Sequence, residues 1–372
     1  MTNYKDEIVD LKRSEFVSIK GFDYIELYVG NAYQAAHFYR TTFGFLPVAY
    51  AGLETGVHDR VSFIMEQGQI RLVLTAATSS ESQVAEHVRL HGDGVKDIAF
   101  EVDDVSQAFA VALKRGATPV MEPSIFENQF GRLCKATIAT CGHTVHSFTQ
   151  RDSSLGAYFP QYRAISNAPP VPSTGLKSID HIAISVENGA LDRWVEFYQN
   201  ILDFHQSHQE DIFTEYSAMN SKVVQSSNGS IKFPIMEPTR GRRKSQIEEY
   251  LDFNQGPGAQ HVAFLSGNIV ETVRLLRENS IEFLFTPDTY YQMLGGRIGE
   301  INEDINALRE LNILADRDQW GYLLQIFSKP LQSRPTLFIE IIQRVGAHGF
   351  GSGNIRALFE AVEREQAMRG TL

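Results

Sequence analysis

The alternation of apolar and polar positions divides the chain into two runs built on one plan. Residues 21–45, GFDYIELYVGNAYQAAHFYRTTFGF, open as an alternating strand, pass through a polar turn, and continue as an amphipathic helix with aromatics near its end. Residues 178–204, SIDHIAISVENGALDRWVEFYQNILDF, repeat that order. A second strand–helix unit follows in each run, at VKDIAFEVDDVSQAFAVALKRGATPV (95–120) and AQHVAFLSGNIVETVRLLRENSIEFL (259–284). A late strand closes each, TVHSFTQR (144–151) and LFIEIIQR (337–344). The pattern predicts an α+β chain of two related domains, 1–165 and 178–372, joined by a Pro- and Ser-rich linker, 166–177.

Within TLFIEIIQR (336–344), Glu340 sits among Phe338, Ile339, Ile341 and Ile342, where an unpaired carboxylate would cost several kcal/mol. Its charge needs a partner, and aligning the two halves points to one. His181 stands where the first half has Tyr24, His261 where it has Asp97, and Glu340 where it has Ser147. A lone inward histidine is ordinarily a satisfied core residue, and a lone buried glutamate is ordinarily paired with arginine. Three ligand-type residues at equivalent strand positions of one half only favour a metal instead. Two neutral imidazoles and one carboxylate, with coordination positions left open, form the set used by non-haem Fe(II) oxygenases. His143 and His146 lie in a short HTVH segment, His205 and His208 look like a polar turn, and His348 is in a Gly-rich loop; none is expected to bind metal.

Composition narrows the partners. The 372 residues carry 34 basic and 45 acidic side chains, a net charge of −11, which argues against nucleic acid or an anionic membrane as partner. No apolar run reaches the roughly eighteen residues of a membrane span. The opening MTNYKDEIVDLKRSEF alternates charges where a signal peptide has an apolar core, so a cytoplasmic location is expected. Cys134 and Cys141 are too few for a disulfide framework and are expected to be reduced. The basic run RGRRK (240–244) reads as a solvated loop.

At these residues the chain resembles the family of 4-hydroxyphenylpyruvate dioxygenase and 4-hydroxymandelate synthase, of the vicinal oxygen chelate fold. The resemblance runs through HGDGVKDIAFEVDD (91–104), KSQIEEYL (244–251), GPGAQHVAF (256–264), TPDTYY (286–291), NILADRDQWGYLLQIFSKP (312–330) and GFGSGNIRALFEAVEREQ (349–366). It implies tandem βαβββ modules forming two open barrels, Fe(II) in the C-terminal barrel only, and His181, His261 and Glu340 as its ligands. The substrates implied are a small 2-oxo acid and O2, and a homo-oligomer, dimer or tetramer, is expected. Gln246, Gln260, Gln325 and Asn354 match polar, catalytic positions of the family's pocket. Ser221, Pro234, Met236, Phe327, Phe350, Ile355 and Leu358 match its substrate-binding positions. The last helix, with Ile355, Leu358, Phe359 and Val362 on one face, fits a lid over the barrel mouth.

The product is read from departures. Homogentisate formers of the family show PINEP or PLNEP where this chain has PIMEP (234–238), and GNF where it has GNI (353–355). Met236 thus replaces an amide and Ile355 a flat aromatic wall, which resembles the mandelate-forming branch and leaves the ring freer to swing. The expectation from these two residues is 4-hydroxymandelate. Pro234 and the KSQIEEYL segment resemble the dioxygenases, whose product is homogentisate. A more apolar 2-oxo acid, or a non-enzymatic binding protein on the same fold, are the remaining readings.

Overall fold

The computed structural model describes residues 16–128, 131–151 and 161–372; the charge-alternating opening, 1–15, lies outside them. The first half contains β1 (Ile19–Tyr28), α1 (Ala32–Phe43), β2 (Leu46–Ala51), β3 (Arg60–Gln67), β4 (Ile70–Ala77), α2 (Gln83–His91), β5 (Gly94–Val102), α3 (Val105–Lys114), β6 (Pro119–Asn128), β7 (Gly131–Ala139), β8 (Val145–Arg151) and β9 (Arg163–Ala164). The second contains β10 (Leu176–Ser185), α4 (Leu191–Leu202), β11 (His205–Phe213), β12 (Ala218–Gln225), β13 (Lys232–Thr239), α5 (Gln246–Asn254), β14 (Gly258–Ser266) and α6 (Ile269–Glu278). It continues through α7 (Asp288–Ile298), α8 (Ile305–Leu311), β15 (Leu314–Arg317), β16 (Tyr322–Phe327), β17 (Phe338–Val345) and the closing helix α9 (Ser352–Arg369).

Each half curls one sheet into an open barrel, ordered β6-β7-β8-β5-β1-β4-β3-β2-β9 in the first and β11-β12-β13-β10-β14-β17-β16-β15 in the second. The pairings correspond: β1 is antiparallel to β5 and parallel to β4, as β10 is to β14 and β13. Parallel pairs of this kind need a crossover, and α1, α3, α4 and α6 supply it. The tandem βαβββ plan expected from the repeat is the observed one.

Local chemistry fixes the helix ends. Asn31 caps α1 by accepting from the Gln34 amide at 3.1 Å. The helix stops at Gly44, whose φ of 77° is left-handed. A Cβ there would come within 2.7 Å of the Pro172 carbonyl, so glycine is required where α1 meets the inter-domain segment. The matching turn after α4 uses Asp203 at φ 58°, and its carboxylate ion-pairs with Arg115 at 2.8 Å. One continuous apolar core runs through both halves, with Phe100 against Phe204 and Phe233, and Phe45 against Phe264. His146 lies inside it, fully buried, within 2.9 Å of the Tyr198 hydroxyl and 3.1 Å of the Ile98 carbonyl. No helix among the described residues is long and apolar enough to cross a membrane.

Candidate metal centre

Sheet register makes the correspondence between the halves concrete. Tyr24 on β1 pairs with Ala99 on β5, and His181 on β10 pairs with Ala263 on β14. The same alanines pair on their other side with Ser147 on β8 and Glu340 on β17. Asp97 and His261 stand two residues before those alanines, on the same face of their strands. The curl of the second sheet then brings three ligand atoms together. One each from His181, His261 and Glu340 lie within 4.8 Å of one another, and all three residues are buried. Glu340 Oε2 is 3.1 Å from His181 Nε2 and 3.5 Å from His261 Nε2.

The neighbours orient this group. His181 Nδ1 is 2.8 Å from Asp180 Oδ1, so it carries the proton and leaves the Nε2 lone pair facing Glu340. Asp180 is held by both arms of Arg344, at 2.7 and 2.8 Å. Burial would raise the Asp180 carboxyl, but that guanidinium holds it well below the usual range. The pair recurs in the first half as Asp23 with Arg151 at 2.7 Å, so its first effect is to pin the equivalent strands. His261 Nδ1 faces Gln260 Oε1 at 3.2 Å, and its ring stacks on Phe338 with centroids 4.8 Å apart. Burial, with His181 adding to it, pushes the His261 pKa well below its ordinary value and keeps that ring neutral. Burial also opposes charge on His181, yet Glu340 and Asp180 raise its pKa.

With both rings in these tautomers three lone-pair atoms converge, an arrangement that repels itself until a proton on His181 or a cation among the three atoms relieves it. The donor set fits a divalent metal with positions left open. Glu340 Oε1 is occupied separately: Gln325 Nε2 donates to it at 2.8 Å and also reaches the Phe350 carbonyl at 3.3 Å. Asn354, at the start of α9, donates to Gln325 Oε1 at 2.9 Å and accepts from the Tyr290 hydroxyl at 2.7 Å. Tyr290 is in turn held by Arg297 at 2.8 Å. A continuous relay thus links the Glu340 carboxylate to the closing helix.

The cavity beside the triad is lined by the expected Ser221, Pro234, Met236, Gln246, Gln260, Gln325, Phe327, Phe350, Ile355 and Leu358. Asn354 lies behind Gln325, outside that lining. Phe350 meets the His181 ring edge-on at 5.2 Å, and Phe327 meets His261 at 6.2 Å. Met236 and Ile355 pack with Ala183, Ile212, Met219, Ile247 and Phe359 in one apolar cluster. Ile355 and Leu358 of α9 form part of the lining, and the space left is only about 50 Å3. His205 and His208 are not in a turn. They belong to β11, an edge strand whose outer face meets water and so lacks the apolar alternation that marks strands. His208 and its neighbour Glu210 line the cavity, and polar composition alone concealed both. Asp180 and Arg344 were legible in principle, since FDY and IDH, TQR and IQR repeat at matching positions.

A curled βαβββ pair carrying a buried two-histidine, one-carboxylate centre beside a closed cavity defines a mononuclear metal oxygenase of the vicinal oxygen chelate class. Residues 178–326 match the Glyoxalase/Bleomycin resistance protein/Dioxygenase superfamily, and residues 14–150 match the hydroxyphenylpyruvate dioxygenase N-terminal model. The chain is 44% identical to 4-hydroxyphenylpyruvate dioxygenase of Yarrowia lipolytica, over 95% of this chain and 94% of the relative. The same enzyme of Xenopus tropicalis is 43% identical over 100% and 97%. Among solved structures, a mutant of 4-hydroxymandelate synthase from Streptomyces coelicolor matches with a TM-score of 0.86 at 38% identity, over 94% and 99% of the two chains. The chain belongs to the 4-hydroxyphenylpyruvate dioxygenase family, and so to the non-haem iron dioxygenases that act on 2-oxo acids.

Proposed function

We propose that this protein converts 4-hydroxyphenylpyruvate and O2 to homogentisate and CO2, with Fe(II) held by His181, His261 and Glu340. The observation that carries the reading is near-full-length identity of 41 to 44% to dioxygenases of that name from fungi and a frog, joined to the intact triad. When bound, Fe(II) supplies a chelation site for the carboxylate and keto oxygens of the 2-oxo acid and a place to reduce O2. The protein supplies the rest. Asp180 and Gln260 fix the two imidazoles, Gln325 steadies Glu340, and Phe327 and Phe350 wall the ring. Gln246 offers its amide to the substrate without adding charge. The closed α9 excludes water, and Asn354 ties that closure to Gln325. A cytoplasmic homo-oligomer belongs to the same reading.

A second reading, formation of 4-hydroxymandelate, is favoured by Met236 and Ile355 on the cavity wall and by the likeness to the mandelate synthase structure. Whole-length similarity to the dioxygenases outweighs two residues. The products are isomers, so mass alone does not separate them. The test is incubation of Fe(II)-loaded protein with substrate and O2, with products resolved by chromatography. A homogentisate peak is the expected result, and a dominant 4-hydroxymandelate peak would replace this reading with the second.

A further inference from the structure

Three polar side-chain atoms are buried at this cavity without a hydrogen-bond partner among the described residues, His208 Nε2 and two acceptors. Glu210 Oε2 and Gln246 Oε1 have no partner among the described residues, while Glu210 and Gln246 both line the pocket. Glu210 projects from β11 and pairs in register with Ser221, which pairs with Met236, so the three form a row across the strands, with Phe350 lying between the His208 and His181 rings. Its side chain is only 11% exposed. The other oxygen is engaged: Oε1 accepts from the Ser352 hydroxyl at the start of the closing helix and lies 3.3 Å from His208 Nε2. A carboxylate with one oxygen fastened to the lid and the other buried and idle is poised for a donor that the protein does not provide.

We propose that Glu210 is a specificity-determining residue: Oε2 accepts a hydrogen bond from a donor at the aryl end of the 2-oxo acid, while Oε1 holds Ser352. The triad anchors the oxo-acid end, and Glu210 reads the opposite end from the sheet edge. This rests on the proposed reading that the substrate is an aryl 2-oxo acid, and it deepens that reading by assigning what selects a phenol over a plain phenyl ring. An unsubstituted ring would enclose the idle carboxylate oxygen in an apolar contact, and leaving a buried acceptor unpaired is what makes such sites discriminate. Because the same carboxylate touches the lid, donor recognition and closure are read by one side chain.

The test uses protein loaded with Zn(II), which binds the acids without turning them over, and calorimetric titration with 4-hydroxyphenylpyruvate, phenylpyruvate and 4-methoxyphenylpyruvate. The wild-type protein is expected to bind the hydroxy acid about tenfold to a hundredfold more tightly than either analogue, the methoxy compound having the oxygen but no donor. Glu210→Val is expected to bring that ratio to within about threefold, and Glu210→Gln, which keeps an acceptor, to preserve most of it. Equal wild-type binding of the hydroxy and methoxy acids would overturn the assignment. So would a ratio unchanged in Glu210→Val. Failure of the wild-type protein to bind any of the three acids would instead overturn the aryl 2-oxo acid reading, and the assignment with it. Should Glu210→Val not fold, the wild-type analogue series and Glu210→Gln still decide.

Discussion

Lys135 and Gln325 occupy the same place in the two halves. Lys135 on β7 lies opposite Thr149, two residues past Ser147, and Gln325 on β16 lies opposite Ile342, two residues past Glu340. Gln325 donates to the Glu340 carboxylate at 2.8 Å. Lys135 instead extends its ammonium into the equivalent of the metal centre, 3.0 Å from Asp97 and 2.7 Å from the Tyr24 hydroxyl, where Ser147 also donates to Asp97 at 2.6 Å. One half sets its buried carboxylate beside an amide and two histidines able to hold a metal; the other holds its buried negative charge with a built-in cation.

Lys135→Met should therefore destabilise the fold by about 3 kcal/mol or more, because Asp97, 3% exposed at its side chain, loses its charge partner. Metal binding per folded molecule should be unchanged, since the centre lies in the other half. Chemical denaturation and a metal titration measure the two effects. A loss below about 1 kcal/mol would contradict the role given to the ammonium.

Acid should weaken the protein through its buried histidines. Burial lowers the His146 pKa to about 4. The unfolded chain takes up that proton below its ordinary value of about 6.5, and the folded chain only below about 4. The unfolded state binds more protons in that window, so stability falls as pH drops through it, by about 1.4 kcal/mol per unit and about 3 kcal/mol in all. His87, lowered to about 3 by burial, acts in the same direction. Denaturation midpoints of the wild-type protein and His146→Gln from pH 7 to 4 test this, and the variant should show the shallower slope. Equal slopes would remove His146 as the cause.

Met236 and Ile355 both line the cavity and belong to one apolar cluster with Phe359 and Ala183. Met236→Asn combined with Ile355→Phe restores an amide and a flat aromatic surface there. The ring should then be held more firmly, and any 4-hydroxymandelate in the product mixture should fall, several-fold or more, in favour of homogentisate. Chromatographic product ratios measure it. An unchanged ratio would show that this wall does not steer the ring.

Much of this was legible in the chain because the domain is written twice. The repeat made each strand its own control, so Tyr24 against His181, Asp97 against His261 and Ser147 against Glu340 showed where one half had changed its chemistry. What stayed hidden depended on distance in sequence. The Glu210 carboxylate is brought to the cavity only by the pairing of β11 with β12, and its strand is too polar to announce itself. The relay from Arg297 through Tyr290 and Asn354 to Gln325 joins side chains on α7, α9 and β16, which no local pattern connects. Product choice is harder still, since Met236 and Ile355 point one way and the remainder of the chain the other.

The most direct test of the central claim, that His181, His261 and Glu340 form one iron centre, is an anaerobic Fe(II) titration of the wild-type protein and Glu340→Ala, with circular dichroism to compare their folds. The wild-type chain should take one tightly bound Fe(II). The variant should keep its fold, lose most of that affinity, and fail to turn over 4-hydroxyphenylpyruvate. A folded Glu340→Ala protein that binds Fe(II) as tightly as the wild type and retains its activity would contradict the account.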